Sequence, residues 1–228
     1  MNSNFILLVI FVGVFVFMAF LSDRRRKKKK IIFFGDSITQ AGVQRKGYIS
    51  VMKEMLRQQG IENYELAGAG IGGNKVYDLY LRMEEDVLNR SPDIVVIYAG
   101  VNDVWHKKLL GEATDAENFE KIYRAIITKF STNEIKVIVC TPAIIGEKND
   151  FTNELDVDLN NCSNIIRNIA ADIGLPIVDL HKAFHEYELV NNIDNVEKGI
   201  LTTDGVHLSD KGNELAAELM LMVIKEME

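Results

Sequence analysis

The stretch Ile31-Ile32-Phe33-Phe34-Gly35-Asp36-Ser37-Ile38-Thr39 decides how this chain is read. Four consecutive apolar residues, two of them β-branched, predict a buried strand. Gly35 and Asp36 break the run and start a turn, which leaves Ser37 where a strand ends. In an open α/β sheet, ligands bind at the ends of the strands, so a serine presented there can act as a nucleophile. An isolated Gly-Asp-Ser turn carries little by itself; the rest of the chain gives it weight.

Working outward, the segment before the strand has its own character. Phe5 to Leu21 is a run of 17 residues, apolar except for Gly13, and Arg24 to Lys30 is a run of seven basic residues. Such a run predicts an N-terminal transmembrane anchor over about residues 5–21, with residues 1–30 forming anchor plus basic flank. Positive charge following the span predicts a membrane protein whose C-terminal domain faces the cytoplasm. The flank would also attract anionic lipid. A cleaved signal peptide is the alternative, although that device carries its charge before the apolar run.

Residues 31–228 form one domain by length and composition. Seven of the 26 basic residues lie at 24–30, and only one of the 33 acidic residues precedes residue 31. Residues 31–228 therefore carry 19 positive against 32 negative side chains, a net of −13. This charge disfavours nucleic acid as a partner. The two cysteines, Cys140 and Cys162, have no zinc-like spacing and form no disulfide framework.

Beyond Ser37, apolar runs alternate with helical periodicity. Strands are expected at 64–67, 94–98, 135–140 and 176–180, and helices at 48–59, 76–87, 115–130, 159–173 and after Ser209. Five strands alternating with helices predict a central five-stranded parallel sheet covered on both faces, an α/β fold. Such a sheet brings four distant positions to one edge. They are Ser37, the glycine-rich stretch Gly68-Ala69-Gly70-Ile71-Gly72-Gly73, Asn102 after the third strand, and the pair Asp204/His207 in the last loop.

Acyl transfer needs a nucleophile, a base, a group that orients the base, and donors for the oxyanion. Ser37 supplies a hydroxyl. His207 supplies an imidazole, a group suited to proton transfer near neutral pH. Asp204, three residues earlier, can hold one ring nitrogen. The backbone N–H groups of Ser37 and Gly73 and the side-chain amide of Asn102 can form an oxyanion hole.

Gly35-Asp36-Ser37, the glycine stretch, Gly100-Val101-Asn102-Asp103 and Asp204-Gly205-Val206-His207 resemble the four ordered blocks of the SGNH (GDSL-type) hydrolase family. The resemblance spans residues 31–228. It implies a three-layer α/β/α sandwich and serine ester hydrolysis with no metal and no cofactor. It also implies Ser37 as nucleophile, His207 and Asp204 as base and partner, and Gly73 and Asn102 as oxyanion donors. One departure stands out: the second block usually begins with asparagine, and here that position is Gly68.

Three other readings compete. Gly68, Gly70 and Gly73 fit the Gly-x-Gly-x-x-Gly of a dinucleotide-binding oxidoreductase, but the next strand ends in Ala99-Gly100 rather than in an acidic residue. The four histidines, at 106, 181, 185 and 207, include no His-Glu-x-x-His, so metal hydrolysis is disfavoured. A catalytically silent, tethered binding domain of the same fold is the third. The expected partner is a small-molecule or lipid ester, with candidates from short acyl esters and sugar acetates to lysophospholipids. Trp105 and His106 either wall the substrate pocket or are a packed aromatic and a surface histidine.

Overall fold

The computed structural model describes residues 28–227. Its centre is a five-stranded sheet of β1 (Lys29–Gly35), β2 (Tyr64–Gly70), β3 (Ile94–Tyr98), β4 (Lys136–Cys140) and β5 (Ile177–Val178). All neighbours are parallel, in the order β2-β1-β3-β4-β5. β1 pairs on both edges and is covered on both faces, which is why Ile31 to Phe34 are wholly buried without any polar alternation.

Eight helices complete the described chain: α1 (Ser37–Gly42), α2 (Tyr48–Gln58), α3 (Val76–Asp86), α4 (Val101–Leu110), α5 (Ala116–Thr132), α6 (Asp156–Ile173), α7 (Leu180–Asn191) and α8 (Asp210–Glu226). α2 packs with α8, and α8 with α7, while α3 packs with α5 and α5 with α6. Right-handed crossovers explain the two groups. The chain leaves β1 toward β2 on one side, then reverses across β1 to β3, β4 and β5. The sheet therefore has a reversal of strand order beside β1, the place where open α/β sheets form a crevice.

The expected three-layer α/β/α architecture is the observed one. Ser209 caps α8 by accepting the Gly212 N–H, and Gly174 closes α6 in the left-handed conformation, as their positions in the sequence predict. Three differences are informative. β1 starts at Lys29, so the end of the basic run belongs to the sheet: Lys30 N–H donates to Asp93 and its Nζ to the Arg90 carbonyl. β2 continues to Gly70, so the first glycines of the expected loop lie in a strand. Two short-range helices, α1 and α4, follow β1 and β3 directly, where only turns were expected.

The membrane location read from the sequence is not supported. Among the described residues no helix is long and apolar enough to cross a membrane. The apolar run at 5–21, on which the anchor and the orientation rested, lies outside the described residues.

Candidate active site

The site is assembled at the C-terminal ends of β1, β2 and β3. β1 ends at Gly35, and Asp36 turns the chain into α1, its carboxylate accepting the Ile38 N–H at 2.9 Å. Ser37 is thus the first residue of a helix, with its hydroxyl at the sheet edge and its N–H among the free donors of a first turn. Its Oγ lies 2.9 Å from Nε2 of His207. On the other side of that ring, Nδ1 lies 2.7 Å from Oδ2 of Asp204. The second oxygen, Oδ1, accepts the N–H groups of Val206 and His207 at 2.9 and 2.8 Å. Burial opposes ionisation of Asp204, but these bonds outweigh it and hold its carboxyl below the usual value. The ring nitrogen facing a carboxylate is therefore the one carrying hydrogen, and Nε2 is left as the acceptor toward Ser37.

The loop bearing Asp204 and His207 is held from beneath by Glu147. Its buried carboxylate accepts the Ile200 N–H at 2.8 Å, the Thr202 hydroxyl at 2.5 Å and the Thr202 N–H. Gly146 N–H donates to the Gly205 carbonyl at 2.7 Å, and Thr202 Oγ1 accepts from Gly205. The sequence offered only a polar stretch at 143–156; nothing local marks Glu147 as the support of a loop some 55 residues later.

The glycines of the second block have separate tasks. A side chain at Gly70 would collide with the backbone of Thr39 and Gln40, so only glycine lets α1 lie across β2. Gly73 sits in open space at φ +76°, in the left-handed region, and marks the turn into α3. Two of the glycines thus lie within a strand, not in a phosphate-cradling turn, which removes the geometry that a dinucleotide fingerprint requires.

Asn102 and Asp103 open α4 at the end of β3, and both are buried. The Asn102 amide donates to the Asn74 carbonyl at 3.0 Å, which sets it beside the Gly73 turn. Asp103 accepts the Val76 N–H and, at 2.6 Å, the Thr114 hydroxyl. It therefore pins the start of α3 to the start of α4. Burial pushes its carboxyl up to about 6 against the pull of these donors. Burial likewise pushes Asp36 up to about 7, with Asp103 adding to the rise.

Arg82 was not singled out from the sequence, where it reads as one charge on an amphipathic helix. Its guanidinium donates to the Gly35 carbonyl at 2.6 Å, the Ala69 carbonyl at 3.1 Å, Asn74 Oδ1 at 2.6 Å and Asp86 at 2.6 Å. It also lies over the Phe34 ring at 4.6 Å. One side chain thus joins the ends of β1 and β2 to the loop that follows Gly73. At Gly68, where the family usually has asparagine, Val43 fills the space in which a side chain would stand, and Arg82 meets the strand-end carbonyls of Gly35 and Ala69.

Trp105 and His106, both on α4, part company. The Trp105 ring stands edge-on to His207, with centroids 5.9 Å apart, and lines a groove with Asp204, Gly205 and Val206. His106 lies in the field of Lys75, Asp78 and Glu112. His106 is not among the residues that line that groove. Cys140 and Cys162 are buried free thiols, and burial pushes both thiol pKa values up, so they are inert. Among the described residues no cluster of His, Cys, Asp or Glu is arranged to hold a metal.

Comparison with known proteins bears on family and fold. Residues 33–215 match the GDSL-like lipase/acylhydrolase family. An acetylxylan esterase of Geobacillus stearothermophilus is 28% identical over 213 residues, covering 86% of this chain and 94% of that protein. The crystal structure of another acetyl xylan esterase, AlAXEase, is 57% identical and superposes with a TM-score of 0.84, covering 86% of this chain and 99% of that one. A catalytic mutant of the G. stearothermophilus enzyme Axe2, with a serine replaced by alanine, is 26% identical with a TM-score of 0.76, covering 87% of this chain and 94% of its own. Fold, matched length and these relatives lead to one conclusion: this chain belongs to the GDSL-like lipase/acylhydrolase family and is a carboxylic ester hydrolase.

Proposed function

We propose that the protein removes acetyl groups from a saccharide by a Ser37-centred, two-step acyl transfer. The observation that carries the mechanism is the unbroken series Ser37 Oγ, His207, Asp204, with 2.9 and 2.7 Å between its members. Ser37 Oγ attacks the ester carbonyl carbon while its proton passes to His207 Nε2. The Asp204 carboxylate stabilises the imidazolium through Nδ1–H and keeps the ring oriented. Negative charge developing on the carbonyl oxygen is met by the N–H groups of Ser37 and Gly73 and by the Asn102 amide. The C–O bond to the alcohol breaks as His207 returns the proton to it, leaving acetyl on Ser37. Water then gives its proton to His207, attacks the acetyl carbon and frees acetate, restoring the Ser37 hydroxyl.

The acetyl and saccharide parts of this reading rest on the relatives, two of which are described as acetylxylan esterases. Acetate release from acetylated xylo-oligosaccharides, compared with hydrolysis of 4-nitrophenyl acetate and 4-nitrophenyl octanoate, tests them. Acetate release from the oligosaccharide is expected, with the acetyl ester favoured over the octanoyl ester in kcat/KM by at least about tenfold. Preference for the octanoyl ester, with no acetate released from the oligosaccharide, would point to a lipid-derived substrate instead.

Arg82 acts in this scheme as a positioning residue for the oxyanion donors. Arg82→Ala removes four hydrogen bonds from a largely covered side chain, and a loss of about 2–4 kcal/mol in chemical denaturation is expected. Well below the melting temperature, kcat should fall by roughly tenfold or more with KM little changed, because the loop holding Gly73 and Asn74 loosens. Arg82→Lys should recover only a minor part of kcat, since one ammonium cannot span four acceptors set in a fork. Full recovery by lysine would reduce Arg82 to a matter of charge alone.

A further inference from the structure

A second cavity, of about 480 Å³, lies between the 144–153 segment, α6 and α7. It is separate from the groove beside Asp204 but shares Gly146, Lys148 and Asn153 with it as a common wall. Its size is that of a small-molecule site. Two polar side chains line it, each with an atom that has no partner among the described residues. Glu188 is 1% exposed and lines the cavity, and its Oε1 makes no hydrogen bond. A buried polar atom of that kind needs a partner or a reason. His181 donates through Nδ1 to the Ala143 carbonyl at 2.7 Å, which leaves Nε2 as an acceptor with no bond of its own.

The charges lining the same cavity are already satisfied. Arg167 makes a two-pronged pair with Asp179 at 2.8 Å through both nitrogens, and Lys148 pairs with Glu197 at 2.8 Å. Burial, with Glu147 and Asp156 nearby, pushes Glu188 up to about 9, and burial lowers the His181 pKa, so at neutral pH both are uncharged. The free groups are thus a protonated carboxyl and a neutral imidazole, which favours a ligand that is neutral and bears hydroxyls.

The mouth adds a flat apolar face. Phe151 is 71% exposed, with its ring 4.6 Å from that of His185. Its backbone stands at φ +60°, a costly conformation for a bulky residue. Its neighbours enforce it: Asp150 accepts from the N–H and hydroxyl of Thr152 and from Asn195, and Asn149 donates to the Glu188 and Asn192 carbonyls. A pyranose ring offers what the cavity asks for: hydroxyls on its edge and C–H groups on its face.

We propose that this cavity is a second, non-catalytic saccharide site, which holds a neutral, unesterified pyranose unit with its face on Phe151 and its hydroxyls on Glu188 and His181. It rests on the acetyl-saccharide reading only for the choice of sugar. Because it shares a wall with the Asp204 groove, one oligosaccharide could engage both, and the remote unit would orient the esterified one.

Calorimetric titration of the full chain with xylotriose tests this, once with the free enzyme and once with Ser37 blocked by a fluorophosphonate. Saturable binding is expected in both, with Kd unchanged by the label. Phe151→Ala should weaken binding about tenfold or more, and Phe151→Trp should restore it. This position is exposed, so neither variant endangers the fold. Absence of saturable binding overturns the proposal, and so does binding that disappears on labelling, which would put the sugar in the catalytic groove. Equal affinity of wild type and Phe151→Ala overturns it too. So does a concentration-dependent dimer that Phe151→Ala dissociates, since that would make the apolar mouth an interface between copies. Xylotriose binding without release of acetate from acetylated xylotriose leaves this site standing while the substrate reading falls. Acetate release without xylotriose binding gives the reverse.

Discussion

Ser37→Ala is expected to lower kcat for 4-nitrophenyl acetate by roughly 10⁵–10⁶-fold while the protein keeps its fold. In the proposed mechanism the lost atom is the one that forms the covalent bond, and among the described residues no other hydroxyl is bonded to the His207 ring. The structural consequence is small, because that hydroxyl lies at the sheet edge rather than in the core. Thermal melting should shift by no more than about 1 kcal/mol would produce. His207→Ala should cost nearly as much as Ser37→Ala, and the double variant little more than either alone. Residues that act as one unit are not additive in this way. Stopped-flow or steady-state kinetics on the three variants measures it. Additive losses would mean that Ser37 and His207 do not work together.

Asn102→Ala is expected to reduce kcat by about 10²–10³-fold with KM almost unchanged, the loss that follows removal of one oxyanion donor. The side chain is buried at the start of α4, and its amide already holds the Asn74 carbonyl at 3.0 Å. One amide hydrogen is thus spent on fixing the loop that carries Gly73, and the other is available to the oxyanion. Asn102→Asp keeps the shape but removes both donors and adds a charge of the wrong sign. It should be at least as impaired as the alanine variant. Equal values of kcat/KM for Asn102→Asp and wild type would exclude a transition-state role for this amide.

How much of this protein could be read from the chain alone differs from residue to residue. The apolar run Ile31 to Phe34 told of a strand buried on both faces, because no polar residue interrupts it, and β1 is that strand. The same logic located β3 and β4. Ser37, Asn102 and the Asp204/His207 pair could be named because each follows a strand or sits in a loop in a recognisable local block. The membrane location could not be judged from the run at 5–21 alone, and nothing among the described residues supports it. The apolar signal for β2 ends at Ala67, since glycine-rich segments carry none; parallel pairing with β1 through Gly70 is what extends the strand.

The sequence by itself determined the order and type of the elements and the residues with chemical capacity, because periodicity and local blocks are properties of neighbours along the chain. Only the tertiary structure decided which of them meet. The Ser37–His207 bond spans 170 positions, the Glu147–Thr202 bond 55 and the Arg82–Gly35 bond 47, and no local pattern encodes such separations. Arg82 and Glu147 look like ordinary surface charges until the sheet places strand ends and loop donors around them. The reason is physical: a charge is stable when buried only where enough partners converge on it, and that convergence is a property of the packed fold.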